Sequence, residues 1–130
     1  ICLLYTPYSF AKRKAPEEVD PVIHNGTKYI VPHWDFSGDQ AQNGGYIEAW
    51  DLKLEKLLWK LKIFTIEYDK KVENAVQDIF ITKIAIINGN LIVWNERGDK
   101  FVVNLETKKI KPKNKIYKFN KSFWENIFGL

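Results

Sequence analysis

The chain holds no methionine, one cysteine at position 2, two arginines and two histidines among its 130 residues. A lone thiol cannot close an internal disulfide, and it excludes the cysteine-rich structural zinc patterns. No apolar run approaches the roughly 18 to 20 residues that a membrane-spanning helix needs, so no transmembrane segment is expected. No Gly-rich loop followed by a Lys-Ser or Lys-Thr pair is present, which removes nucleotide hydrolysis of the P-loop kind. Two arginines leave little for bidentate reading of bases, so nucleic acid is not the expected partner.

What is present is apolar and aromatic. Hydrophobic residues make up 45% and aromatics 15% of the chain, too much for a disordered polymer and enough for one core in a domain of this length. The opening "ICLLYTPYSFAKRK" carries an apolar stretch, then Ser9 and Ala11 at the minus-three and minus-one positions before Lys12. That pattern suits signal-peptidase processing, so residues 1–11 are expected to be the remnant of an export signal and the protein to be periplasmic or secreted. The competing expectation is a buried strand over 2–8. Two prolines and six charges then mark 12–22 as a linker, leaving 23–130 as a single β-rich domain.

Three Asn-Gly pairs, at 25–26, 43–44 and 88–89, punctuate this domain, and each suits the positive φ of a tight hairpin turn. Strands are expected over 28–34, 46–52, 56–64, 79–87, 91–95 and 100–105, giving a mainly β, antiparallel meander of about six or seven strands. The stretch "GGYIEAWDLKLEKLLWKL" has a helical competitor, because Leu54, Leu57, Leu58 and Leu61 repeat at helical spacing. Alternation from Lys56 to Ile63 favours a strand, with Leu57, Trp59, Leu61 and Ile63 on one face and Leu58 as the misfit. Residues 68–78 suit a short helix or ordered loop with Val72, Ala75 and Val76 inward. "NKSFWENIFGL" adds a short C-terminal helix, with Ser122 and Glu125 spaced as a capping box and Phe123, Trp124, Ile127 and Phe128 on one face.

Aligning "GGYIEAWDLKLEKL" with "GDKFVVNLETKKI" sets Gly45 on Gly98, Ala49 on Val102, Asp51 on Asn104, Leu52 on Leu105 and Leu57 on Ile110. Gly45, Ala49, Asp51, Lys56 and Trp59 resemble the quinoprotein-type (PQQ-like) β-propeller repeat, in which an Asp-containing turn joins two strands of a blade. Leu54 and Glu55 stand where that repeat has Thr and Gly, so Glu55 carries a steric cost if the turn needs positive φ. The resemblance implies two propeller-blade-like units. A closed propeller needs about four blades or more of some 40 residues, so no quinone site is carried over and no cofactor is expected. Taken whole, "YIVPHWDF", "QNGGYIEAWDLK", "LLWKLKIF" and "VQDIFIT" resemble a group of small bacterial proteins, often exported; that resemblance implies no activity.

His33, Asp35 and Asp39, with His24 upstream, are the only cluster of metal-ligand character, and turn chemistry explains the same residues. Ser37 beside His33 and Asp35 lacks a nucleophile elbow. Glu48 and Asp51 fall on opposite faces of one strand, so with Asp78 they make a poor acid–base set. No enzyme is expected; the alternative is a small metal-dependent enzyme or hydrolase on His33, Asp35 and Asp39. The preferred reading is a binding module for a protein, peptide or carbohydrate, with Trp34, Tyr46 and Trp50 as the binding surface and a homo-oligomer left open. Lys108, Lys109, Lys111, Lys113, Lys115 and Lys118 form a basic patch that suits either a guarded edge strand or an acidic partner. If residues 1–11 are a signal remnant, a chain beginning at Lys12 melts at the same temperature as the full chain. A loss of several degrees would show that Leu3, Leu4 and Tyr5 belong to the core.

Overall fold

A computed structural model describes residues 15–33 and 42–119. Its elements, in chain order, are β1 (Val22–His24), β2 (Thr27–Ile30), β3 (Tyr46–Asp51), β4 (Lys56–Lys62), β5 (Thr65–Glu67), α1 (Asn74–Gln77), β6 (Ile81–Ile87), β7 (Asn90–Asn95), β8 (Lys100–Asn104), β9 (Ile110–Lys111) and β10 (Ile116–Lys118). The chain is mainly β, as the alternation predicts, but the described residues hold ten strands rather than six or seven. The extra ones are two or three residues long, too short to show a period. The segment expected as a signal remnant, 1–11, and the expected terminal helix at 123–128 lie outside the described residues.

Two of the three Asn-Gly pairs are hairpin turns. Asn25 and Gly26 take φ of 50° and 76°, and Asn88 and Gly89 take 52° and 78°, the double positive-φ signature of a two-residue turn whose twist matches its strands. They start two meanders, β1-β2-β3-β4 and β6-β7-β8-β9, each a four-stranded sheet with antiparallel pairing throughout. The third pair is not a hairpin. Asn43 gives its backbone N–H to Tyr68 and its amide to Asp78 Oδ2, which anchors the β2–β3 connection to the segment around α1.

The turn after β3 has a counterpart after β8. Asp51 Oδ1 accepts the N–H groups of Lys53 and Leu54 at 2.9 and 2.7 Å, and Asn104 Oδ1 accepts those of Glu106 and Thr107 at 2.9 and 3.0 Å. Four residues on, Glu55 and Lys108 both adopt positive φ, 53° and 63°. The sheet position of the first turn also settles helix against strand for the leucine-rich stretch. Ala49 pairs with Trp59 but Trp50 pairs with Leu57, so Leu58 is the extra residue of a β-bulge. This corrects the face assignment: Trp59 and Leu61 stay inward, while Leu57 joins Trp50 on the outside.

The two sheets share one core. Tyr29, Ile47 and Ala49 of the first sheet join Ile84, Leu91, Val93, Phe101 and Val103 of the second in a single buried cluster. Phe64 stacks on Phe101 at 5.6 Å and receives the edge of Tyr117 at 5.3 Å. A fully buried Val, Leu, Ile or Phe stabilises by about 1.5 to 3 kcal/mol, and among the described residues nine such side chains reach that state. β5 and β10 run parallel and pair Thr65 with Ile116 through Glu67 with Lys118, clasping the end of the first sheet to the chain beyond the second. The sheets do not close into a propeller.

Polar side chains finish the joints. Gln42, buried, accepts from Ile66 N–H at 2.8 Å and donates to Phe64 O and Gly44 O. Gln77 of α1 holds Asp69 from both sides and also donates to Val72 O; it is more deeply buried than Val72, Ala75 or Val76, the residues expected inward. Gly44 and Gly45 both take positive φ, and a Cβ on Gly44 would sit 2.6 Å from Ile79 O. The two kinds of positive-φ site give opposite expectations. Glu55→Gly stabilises by a few tenths to about 1 kcal/mol because glycine accepts the turn without strain. Gly44→Ala destabilises by about 2 kcal/mol or more, since strain and a backbone collision add. Thermal melts of the two variants read both signs.

Candidate functional site

Antiparallel register assembles the outer face of the first sheet. Ile23 lies opposite Lys28, Lys28 opposite Trp50, and Trp50 opposite Leu57, a row that crosses all four strands. Ile23 is 62% exposed and Leu57 41%, and the adjoining turn adds Leu54 at 70%. Beside the row, Trp50 Nε1 donates to Glu48 Oε1 at 3.0 Å, Lys60 Nζ stands 3.8 Å from Glu48 Oε2, and the same ammonium lies 5.0 Å from the Tyr46 ring centre. A groove of about 320 Å³ runs between Lys28, Ile30, Trp50, Leu52 and Glu55. Tyr46 and Trp50, expected as a binding surface, therefore share one solvent-facing side, and Trp34 lies outside the described residues.

The metal and hydrolase candidates gather less. His33 is buried; its Nε2 is 2.8 Å from Glu17 O, and its ring stands edge-on to Phe80 at 5.3 Å. The histidine thus ties the segment before β1 to the core, where Val19 also packs. Its Nδ1 is buried without a partner. Asp35, Ser37 and Asp39 lie outside the described residues, and among the described residues no three His, Cys, Asp or Glu side chains converge as metal ligands. His24 Nε2 meets the Asn25 amide at 3.2 Å. Of the three carboxylates weighed as acid and base, Asp51 caps its turn, Glu48 holds Trp50, and Asp78 accepts from Tyr68 at 2.7 Å. Each is spent on structure.

The basic patch becomes a concave site. Lys108, Lys109, Lys111, Lys113 and Lys115 line a cavity of about 490 Å³, joined by Lys62 from the end of β4. Ile63, Phe64 and Ile110 supply apolar wall, and among the described residues no carboxylate lines it. Lys108 Nζ rests 5.6 Å from the Trp59 ring centre and Lys115 Nζ 5.1 Å from that of Tyr117, geometry in which cation–π attraction orients an ammonium. Lys118 is elsewhere, 3.8 Å from Glu67 in the parallel clasp.

The chain matches no protein-family model and no curated protein. Among the described residues no helix is long and apolar enough to cross a membrane. The face and the cavity therefore speak through their own chemistry.

Sequence reasoning found the lysines of the cavity except Lys62, which only the fold brings near the others from almost fifty positions away. It also found Trp50 and Tyr46 but placed Leu57 on the wrong side, because the bulge at Leu58 has no signature beyond broken alternation. Tyr117, whose ring meets Phe64 of the cavity wall, is anchored by Asn95 Nδ2, which donates to its hydroxyl at 2.9 Å, and by its own donation to Asp99. Burial, and then the hydrogen bond to Asp99, push its pKa above the ordinary 10.0. A phenol raised in the folded state contributes stability fully present below pH about 10 and lost as pH climbs through the folded value. Tyr117→Phe leaves two partners unmatched and costs about 1 kcal/mol at pH 7; urea midpoints show the gap to wild type narrowing above pH 10. A gap independent of pH would contradict the assignment.

Proposed function

We propose that the protein is a non-catalytic interaction module whose first sheet docks, through the row Ile23, Lys28, Trp50 and Leu57, on an apolar surface of a protein partner. The observation that carries this reading is the repeat itself. In the second sheet Ile86 lies opposite Leu91, Leu91 opposite Val103, and Val103 opposite Ile110. Superposing the Asn-Gly turns and the Asp51 and Asn104 turns sets these four on Ile23, Lys28, Trp50 and Leu57. The second sheet buries its row against the first: Leu91 and Val103 are fully buried, and Ile86 and Ile110 pack on the core. Among the described residues the first sheet stacks nothing on the corresponding row: Ile23 and Leu57 are exposed, and Lys28 and Trp50 are half-buried.

The stacking is head-to-tail, each sheet offering a different face, and the sheets are read as propeller-blade-like units on that basis. The first strands, β1 and β6, also lie against each other, as inner strands of neighbouring blades do. Exposed aliphatics rimmed by charge mark protein contact surfaces, and a half-buried Trp is a usual anchor. A sugar needs free polar groups beside the ring; here Trp50 and Glu48 satisfy each other, and the flanks are Ile and Leu.

A photo-crosslinking residue at position 57, in cells producing the full chain, is expected to give one discrete protein adduct that Trp50→Glu abolishes. The same residue at position 83, on the outer face of the second sheet, gives none. Equal smears from both positions, or an adduct indifferent to Trp50→Glu, would falsify the reading. An adduct of twice the chain's mass identifies the partner as a second copy.

A further inference from the structure

The lysine cavity is independent of the Trp50 face, and its electrostatics are one-sided. Five ammonium groups fall within the eight residues from Lys108 to Lys115 and face a sixth, Lys62, across about 490 Å³, with no carboxylate in the lining among the described residues. Lys62, Lys109, Lys111 and Lys113 form no ion pair among the described residues. Like charges held this close repel one another, and a bound anion relieves that repulsion for every member at once. Glu106, two residues before Lys108, is not in the lining; Glu67 meets Lys118, and Asp99 accepts from Tyr117.

Three features narrow the anion. The volume falls within the range of small-molecule sites, about 300 to 1,000 Å³. The cations are all lysine, whose ammonium is a compact point charge that suits phosphate oxygens from any direction, without the planar fork that favours a single carboxylate. The rings beside the cavity are occupied: Lys108 lies over Trp59, Lys115 lies over Tyr117, and Tyr117 turns its edge to Phe64. A single-stranded nucleic acid would need those ring faces for base stacking.

We propose that this cavity binds a compact ligand bearing clustered phosphate groups. Lys62, Lys109, Lys111 and Lys113 supply the mobile charges, Lys108 and Lys115 are positioned by their aromatic rings, and Ile63 and Ile110 wall the remainder. Clustered phosphates reach such a site either as a free polyphosphorylated compound or as a phosphorylated lipid headgroup, and the test separates these sources.

Inorganic tripolyphosphate, titrated calorimetrically into the full chain, is expected to bind one to one, with an affinity that falls steeply as salt rises. Lys109→Gln, Lys111→Gln and Lys113→Gln together should weaken binding at least tenfold, while Arg at the same three positions preserves it within a few fold. Lys83→Gln with Lys100→Gln, on the outer face of the second sheet, leaves it unchanged. These side chains are exposed, so unchanged thermal melts certify the fold of every variant. Flotation with phosphatidylcholine vesicles containing phosphatidic acid then assigns the source: recruitment displaced by tripolyphosphate marks a lipid headgroup, and tripolyphosphate binding without recruitment marks a free compound. Absence of both, equal losses in the cleft and control variants, or tighter binding of a single-stranded oligonucleotide than of tripolyphosphate would overturn the proposal.

Discussion

Phe64 is the residue on which the two sheets agree. It lies two residues past the end of β4, stacks on Phe101 of the second sheet, takes the edge of Tyr117 from the final clasp, and has its carbonyl held by Gln42. Packing alone would leave this corner with unmatched backbone groups, because β4 ends at Lys62 and β5 begins only at Thr65. Gln42 supplies the missing partners, and Gly45, whose Cβ position would lie 3.1 Å from the Phe64 ring, permits the close approach. An aromatic stack and a buried amide thus solve one problem together: turning the chain out of one sheet without exposing apolar surface or stranding a carbonyl.

Everything outside that corner is simpler. Each sheet is a local meander in which neighbours in sequence are neighbours in space, joined by turns whose chemistry is visible residue by residue. The two proposed surfaces lie where the corner sends them. One is the face of the first sheet on which no other described residues stack. The other is the basic cavity that forms where the exit from β4 passes under the turns flanking β9.

The local part of this design was legible in the residues. Asn25-Gly26 and Asn88-Gly89 announced their hairpins, Asp51 announced its turn, and the strain expected at Glu55 corresponds to a φ of 53°. Leu58, the residue that broke the alternation, is the bulge. The non-local part was not legible. Asn43-Gly44 reads like the other pairs, yet Tyr68 and Asp78 claim Asn43 for a contact that no turn rule contains. Gln42 and Gln77 look like solvent-facing amides until distant backbone groups turn out to need them. A parallel pair of three-residue strands carries no period at all, and Lys62 joins the other lysines only through that pairing.

The same clasp has a consequence for the order in which the protein acquires its structure. Thr65–Glu67 finds its partner about fifty residues later, at Ile116–Lys118, whereas every other strand pairs with a sequence neighbour. Closing so long a loop costs entropy that only contacts already made can offset, so both meanders must precede it. During synthesis from the N-terminus, the first sheet emerges whole while its exit strand stays unpaired until most of the described chain has been made. The interval is governed by translation rather than by folding speed, and throughout it β5 is an open edge onto which the wrong strand could add.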